Sequence, residues 1–99
     1  MNLNIESIHF IIGKKLGLFI EEKIKKLIEH NHYIIDVDVV LVIGNKPENK
    51  IVEIKLNCNG CSFYAKKQSD TFEHSVDMVV EALRRQLRKQ KTKRLKKEG

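Results

Sequence analysis

Two groups of residues in this chain have types and spacings that can do chemistry. The first is Cys58-Asn59-Gly60-Cys61, which has the spacing of half a zinc site or of a dithiol. The second is the stretch 84–99, opening Arg84-Arg85-Gln86-Leu87-Arg88-Lys89, with nine Lys or Arg and one acidic residue. A segment of that charge attracts a polyanion and gains affinity by releasing condensed counterions from it. The residues before it hold ten basic and twelve acidic side chains, so the chain's net charge of +6 comes from its last part. A helix end needs only a few cations to complement its dipole, so this excess points to a nucleic-acid partner.

The cysteine pair takes the opposite reading. A structural zinc site needs four ligands, and His9, His30, His32 and His74 offer no second paired spacing. Cys58 and Cys61 are therefore expected to be small packing residues facing each other across a turn, without metal or redox chemistry. No cofactor is expected. The same histidines are scattered, no Ser, Cys or Lys sits in an activating motif, and no Gly-rich phosphate loop is present. An enzyme and a small-molecule substrate are the weakest readings.

Ninety-nine residues make one domain, and the 41% apolar share supports a core only because those residues are periodic. No apolar run reaches about 18 residues, and the start Met1-Asn2-Leu3-Asn4 lacks the features of a signal peptide. The expectation is a soluble cytoplasmic protein that does not engage a membrane.

Alternation over 2–9 predicts a short strand, and Gly13 breaks it. From 14 to about 30, Leu16, Phe19, Ile20, Ile24, Leu27 and Ile28 recur at helical spacing, with Glu21/Lys25 and Glu22/Lys26 set to pair. Asn31 reads as a left-handed helix terminator. Residues 34–43 predict a strand with Ile35, Val37, Val39, Leu41 and Ile43 on its core face, and 51–58 a second with Val52, Ile54, Leu56 and Cys58 inward. Asn59-Gly60 predicts a type I′ hairpin into a third run whose core face carries Phe63 and Ala65. The last helix is expected to start at an Asp70 cap with Glu73 three residues on, and to bury Phe72, Val76, Val79, Val80, Leu83 and Leu87. Strand, helix, three strands and helix give an α+β two-layer sandwich, β-α-β-β-β-α, with a four-stranded mixed sheet and both helices on one face. The binding of a polyanion then rests on the basic helix: residues 1–91 are expected to form the binding domain and 92–99 a basic tail.

Met1-Asn2-Leu3-Asn4-Ile5, Ile34-Ile35-Asp36-Val37-Asp38-Val39, Ser69-Asp70-Thr71-Phe72 with Val76-Asp77, and Leu83-Arg84-Arg85-Gln86-Leu87-Arg88-Lys89-Gln90-Lys91 resemble, in that order, the ribosome hibernation promoting factors. That family includes the ribosome-associated inhibitor called protein Y and was earlier described as sigma-factor modulators. The resemblance implies a protein that binds the small ribosomal subunit in the mRNA and tRNA channel and inhibits translation in stationary phase or stress. It also implies that Arg85, Lys89 and Lys91 meet rRNA phosphates, and that an accessory factor could assist ribosome pairing. Long members carry a further dimerising domain, so a chain ending at Gly99 reads as a short form.

Read from the residues, Arg84, Arg88 and Lys91 form one row of the helix, with Arg85 and Lys89 on an adjacent side. Lys23, Lys26, Lys66 and Lys67 are candidates to widen that rRNA-binding surface, and Tyr64 is a candidate to stack on a nucleotide. The alternatives are a protein-interaction module acting on a sigma factor and a general RNA-binding domain. The first calls for an exposed apolar patch, which Leu18 and Leu95 do not make. A double-stranded-RNA reader calls for a basic start to the last helix, where this chain has Asp70, Glu73 and Asp77.

Overall fold

The computed structural model describes residues 2–98, with side chains described through Gln90. The side chains of Lys91 and of the basic tail lie outside the described ones. The elements are β1 (Asn2–Ile8), α1 (Lys14–Ile28), β2 (Ile34–Ile43), β3 (Lys50–Cys58), β4 (Cys61–Ser69) and α2 (Phe72–Glu98). They form one four-stranded sheet of order β1-β2-β3-β4, with β1 parallel to β2 and the other pairs antiparallel. The expected mixed sheet and element order are both present.

The period-2 pattern decides which face of the sheet is covered. Val37, Val39, Leu41, Val52, Ile54, Leu56, Phe63 and Ala65 are buried on one side, against Ile20, Ile24 and Leu27 of α1 and the α2 stripe Phe72, Val76, Val79, Val80, Leu83 and Leu87. On the open face Asp38 accepts hydrogen bonds from Asn4 Nδ2 at 3.1 Å and Asn57 Nδ2 at 3.0 Å, which laces three strands together with polar groups. Removing the large side chain of a buried position such as Leu83 costs about 2–5 kcal/mol, so this single layer carries most of the stability.

Several local expectations are corrected. A register shift between Ile34 and Asp36 turns the first residues of β2 over: Ile34 is buried and Ile35 is 45% exposed, the reverse of strict alternation. Asn31 is not left-handed; it closes α1 through its backbone N–H to the Ile28 carbonyl and its side-chain amide to the Leu27 carbonyl. Among the described residues the left-handed non-glycine one is His9 (φ 73°), which turns the chain off β1 and lets the Ser7 hydroxyl donate to the Phe10 carbonyl. Phe10 then stacks on Phe72, with ring centroids 4.9 Å apart, and fastens this turn to the start of α2.

The helix cap is Thr71, whose hydroxyl accepts from the His74 N–H at 3.1 Å, one residue later than the Asp70 cap expected. In the hairpin only Gly60 has positive φ (73°), so the two-positive type I′ turn gives way to the negative-then-positive order of type II. Cys58 and Cys61 face each other in register there and are joined as a disulfide, a bond that the packing-only reading left out.

Candidate nucleic-acid interface

The basic residues sit where the buried stripe of α2 ends. Leu83 and Leu87 point into the core, and the positions around them, Arg84, Arg85, Arg88 and Lys89, are exposed. The reason is the helical period: with the apolar stripe at spacings of three and four, the intervening positions face water. Gln86 lies between the Arg85/Lys89 row and the buried stripe and donates from Nε2 to the Tyr64 carbonyl at 2.8 Å, tying the helix to the outer edge of β4.

Each basic row borders a shallow groove that brings in a cation from another element. Arg84 and Arg88 line a groove of about 290 Å³ with Lys26, Leu27, His30 and Leu87, where the end of α1 meets α2. On the other flank Arg85 and Lys67 line a groove of about 210 Å³ with Met78, Glu81 and Ala82. Lys26 and Lys67 thereby lie beside the helix rows. His30, in the turn just past the end of α1, joins the first groove without having been proposed for it.

Two of the candidate lysines are placed elsewhere. Lys23 Nζ pairs with Asp77 at 2.9 Å and lies 5.4 Å from the centre of the Phe19 ring, so it fastens α1 to α2. The Glu21/Lys25 and Glu22/Lys26 pairs expected along α1 are not among the ion pairs of the described residues. Lys66 is paired in register with Glu53 on the open face of the sheet, turned away from α2, whereas Lys67 faces the helix side. Arg84 keeps its place in the row but its charge is shared with Glu81 at 2.9 Å. Lys91 lies outside the described side chains.

Tyr64 is half-exposed on the open face, and its hydroxyl donates to Glu53 at 2.5 Å. That hydrogen bond, with partial desolvation and the nearby carboxylate charge, raises the phenol above its ordinary range. The ring remains open on one side, yet it is on the face opposite to the basic helix, so it does not join the grooves.

Among the described residues no group of three or more His, Cys, Asp or Glu side chains could hold a metal ion, and no helix is long and apolar enough to cross a membrane. The arrangement is one of distributed cations on a rigid frame, suited to phosphate positions along a nucleic-acid backbone.

The chain and its fold have similar counterparts among known proteins. The family described as sigma 54 modulation protein / S30EA ribosomal protein matches residues 3–95. The chain is similar to a ribosome hibernation promoting factor from Azotobacter vinelandii, 29% identical over 98 residues, covering 99% of this chain and 90% of that protein. Among solved structures it is similar to a ribosomal subunit interface protein from Coxiella burnetii, with a TM-score of 0.85 and 25% identity over 93% of this chain and 99% of that one. The N-terminal domain of Thermus thermophilus Protein Y shares the fold, with a TM-score of 0.78 and 19% identity over 90% of this chain and 98% of that one. With the family pattern running through both layers of the sandwich and into the basic helix, the chain belongs to the sigma 54 modulation protein / S30EA ribosomal protein family.

Proposed function

We propose that this protein is a ribosome hibernation factor that binds the small ribosomal subunit in its mRNA and tRNA channel and inhibits translation in stationary phase or stress. The observation that carries the reading is the exposed pair of basic rows on α2, each widened by a lysine from another element and held to β4 by Gln86. A channel walled by rRNA backbone requires such distributed cations more than a base-reading code. The names of the relatives, a hibernation promoting factor and a subunit interface protein, support the same partner.

Mechanistically the protein acts by occupancy in the cytoplasm, with no turnover and no cofactor. Residues 1–91 form the ribosome-binding domain and 92–99 extend its positive charge. Arg85 and Lys89, which have no carboxylate partner among the described residues, are the leading phosphate contacts, with Lys91 continuing them along the sequence. Arg84, Arg88, Lys26 and Lys67 add to the surface; Lys23 and Lys66 serve the fold and the open face instead.

The test is co-sedimentation with purified small subunits through a sucrose gradient. The parent should migrate with the subunit, and a variant with Arg85, Lys89 and Lys91 replaced by Gln should stay at the top while keeping the parent's far-UV circular dichroism. Undiminished sedimentation of the triple variant would move the contact away from α2. A parent that ignores ribosomes and binds a sigma factor would favour the protein-interaction reading.

A further inference from the structure

Cys58 and Cys61 are the chemistry-bearing residues that ribosome binding does not use. We propose that they form a reversible thiol–disulfide couple, a redox site at the tip of the β3-β4 hairpin that exchanges with low-molecular-weight thiols.

The geometry supports both oxidation states. Cys58 and Cys61 are register partners with Cα atoms 5.2 Å apart, inside the range that a disulfide spans without moving the backbone. The bond closes a ring around only Asn59 and Gly60, a turn that the β3-β4 ladder already closes. So short a ring removes little freedom from the unfolded chain, and the fold does not depend on the bond. The next inward core pair, Leu56 and Phe63, is buried and holds the two strands in register after reduction. Two thiols kept opposite each other re-form their own bond faster than they find another molecule. Cys58 Sγ also lies 3.1 Å from the Cys61 carbonyl oxygen, so the thiol released on reduction has an acceptor in place.

Access is available as well. Both cysteines are partly exposed, and Asn59 and Gly60 between them are exposed. In the reductive direction a glutathione thiolate attacks one sulfur of the pair. The Cys58–Cys61 bond breaks, one cysteine leaves as thiolate and takes up a proton, and a mixed disulfide forms on the other. A second glutathione thiolate attacks that mixed disulfide, which releases the second cysteine and oxidised glutathione. Two electrons pass from two glutathione molecules to the protein disulfide, and the reverse sequence oxidises the dithiol.

The experiment equilibrates the purified chain in mixtures of reduced and oxidised glutathione, quenches with acid and an alkylating agent, and counts labelled thiols by intact mass. Two species are expected, unlabelled and doubly labelled, exchanging as the mixture changes, with loss of both labels at the oxidising end. Cys58→Ser should accumulate one glutathione adduct on Cys61, and Cys61→Ser one on Cys58, both with the parent's circular dichroism. The proposal is overturned if the dithiol persists in excess oxidised glutathione or the disulfide persists in dithiothreitol. It is also overturned if singly labelled chains or disulfide-linked dimers dominate, or if neither folded single variant takes up glutathione.

Discussion

Gln86 Nε2 donates to the Tyr64 carbonyl oxygen at 2.8 Å, so the basic segment of α2 is tied to an outward-facing backbone group of the edge strand β4. The contact does two things at once. It fixes the rotation of the helix about its axis where the cations begin, and it occupies one of the unpaired carbonyls that make edge strands prone to pair with other chains.

Gln86→Ala should lower stability by about 0.5–1.5 kcal/mol, the ordinary net worth of one hydrogen bond. Leu83→Ala, three residues earlier and fully buried, should cost about 2–5 kcal/mol through the cavity it leaves. Urea denaturation of the two variants beside the parent checks the order, which would be reversed if the tether rather than the apolar stripe held α2 in place.

The cap correction has its own test. Thr71→Ala removes the hydroxyl that accepts from the His74 N–H and should cost about 0.5–2 kcal/mol. Asp70→Ala, just outside the helix and exposed, should stay within about 0.5 kcal/mol. Equal losses, read from thermal or urea midpoints, would mean that Asp70 shares the cap.

Affinity for the small subunit should fall steeply with salt. If about five phosphates are contacted, a plot of log affinity against log salt should have a slope of about −3 to −4. Filter binding or sedimentation across a salt series measures it. A flat line would remove the phosphate contacts from the mechanism, and removing Arg85 alone should reduce the slope by about one contact's worth.

Tyr64 gives a pH dependence of known sign. An unfolded tyrosine titrates near pH 10, and in the fold the hydrogen bond to Glu53 raises that value. The folded state therefore holds the phenol proton more tightly. Its contribution to stability is fully present below about pH 10 and is lost as pH rises through the folded value. In a Tyr33→Phe background, phenolate absorbance should report a Tyr64 inflection above the ordinary range, and Glu53→Ala should move it down. An unmoved inflection would assign the shift to something other than Glu53.

Much of this fold is legible in the chain because its apolar residues keep strict periods. The stripe Phe72, Val76, Val79, Val80, Leu83 and Leu87 and the alternation of Val52, Ile54 and Leu56 each identify an element and its inward face, and all nine side chains are buried. The pattern fails where one residue breaks the count. The bulge at the start of β2 exchanges Ile34 for Ile35 as the buried residue, and both are isoleucine, so composition carries no trace of it. His9 takes the left-handed conformation where Gly13 was the visible breaker, because the turn that seats Phe10 on Phe72 is set by a partner more than sixty residues away.

The candidate site divides along the same line. That a dense run of Arg and Lys follows the last core leucine is a property of the sequence alone, since it needs only the helical period and the identity of each residue. Which other cations join it was decided by the tertiary structure. Lys66 and Lys67 are neighbours in the chain, yet the pleat sends one to each face of β4, and only Lys67 meets Arg85. Lys23 and Lys26 are one helical turn apart on α1, but Lys23 is drawn to Asp77 while Lys26 opens onto Arg84 and Arg88. The disulfide follows the same rule: four letters place two cysteines near each other, and only the hairpin register sets their sulfurs within bonding reach. Charge and period are local and are written in the chain; the company each charge keeps depends on which surfaces the core brings together.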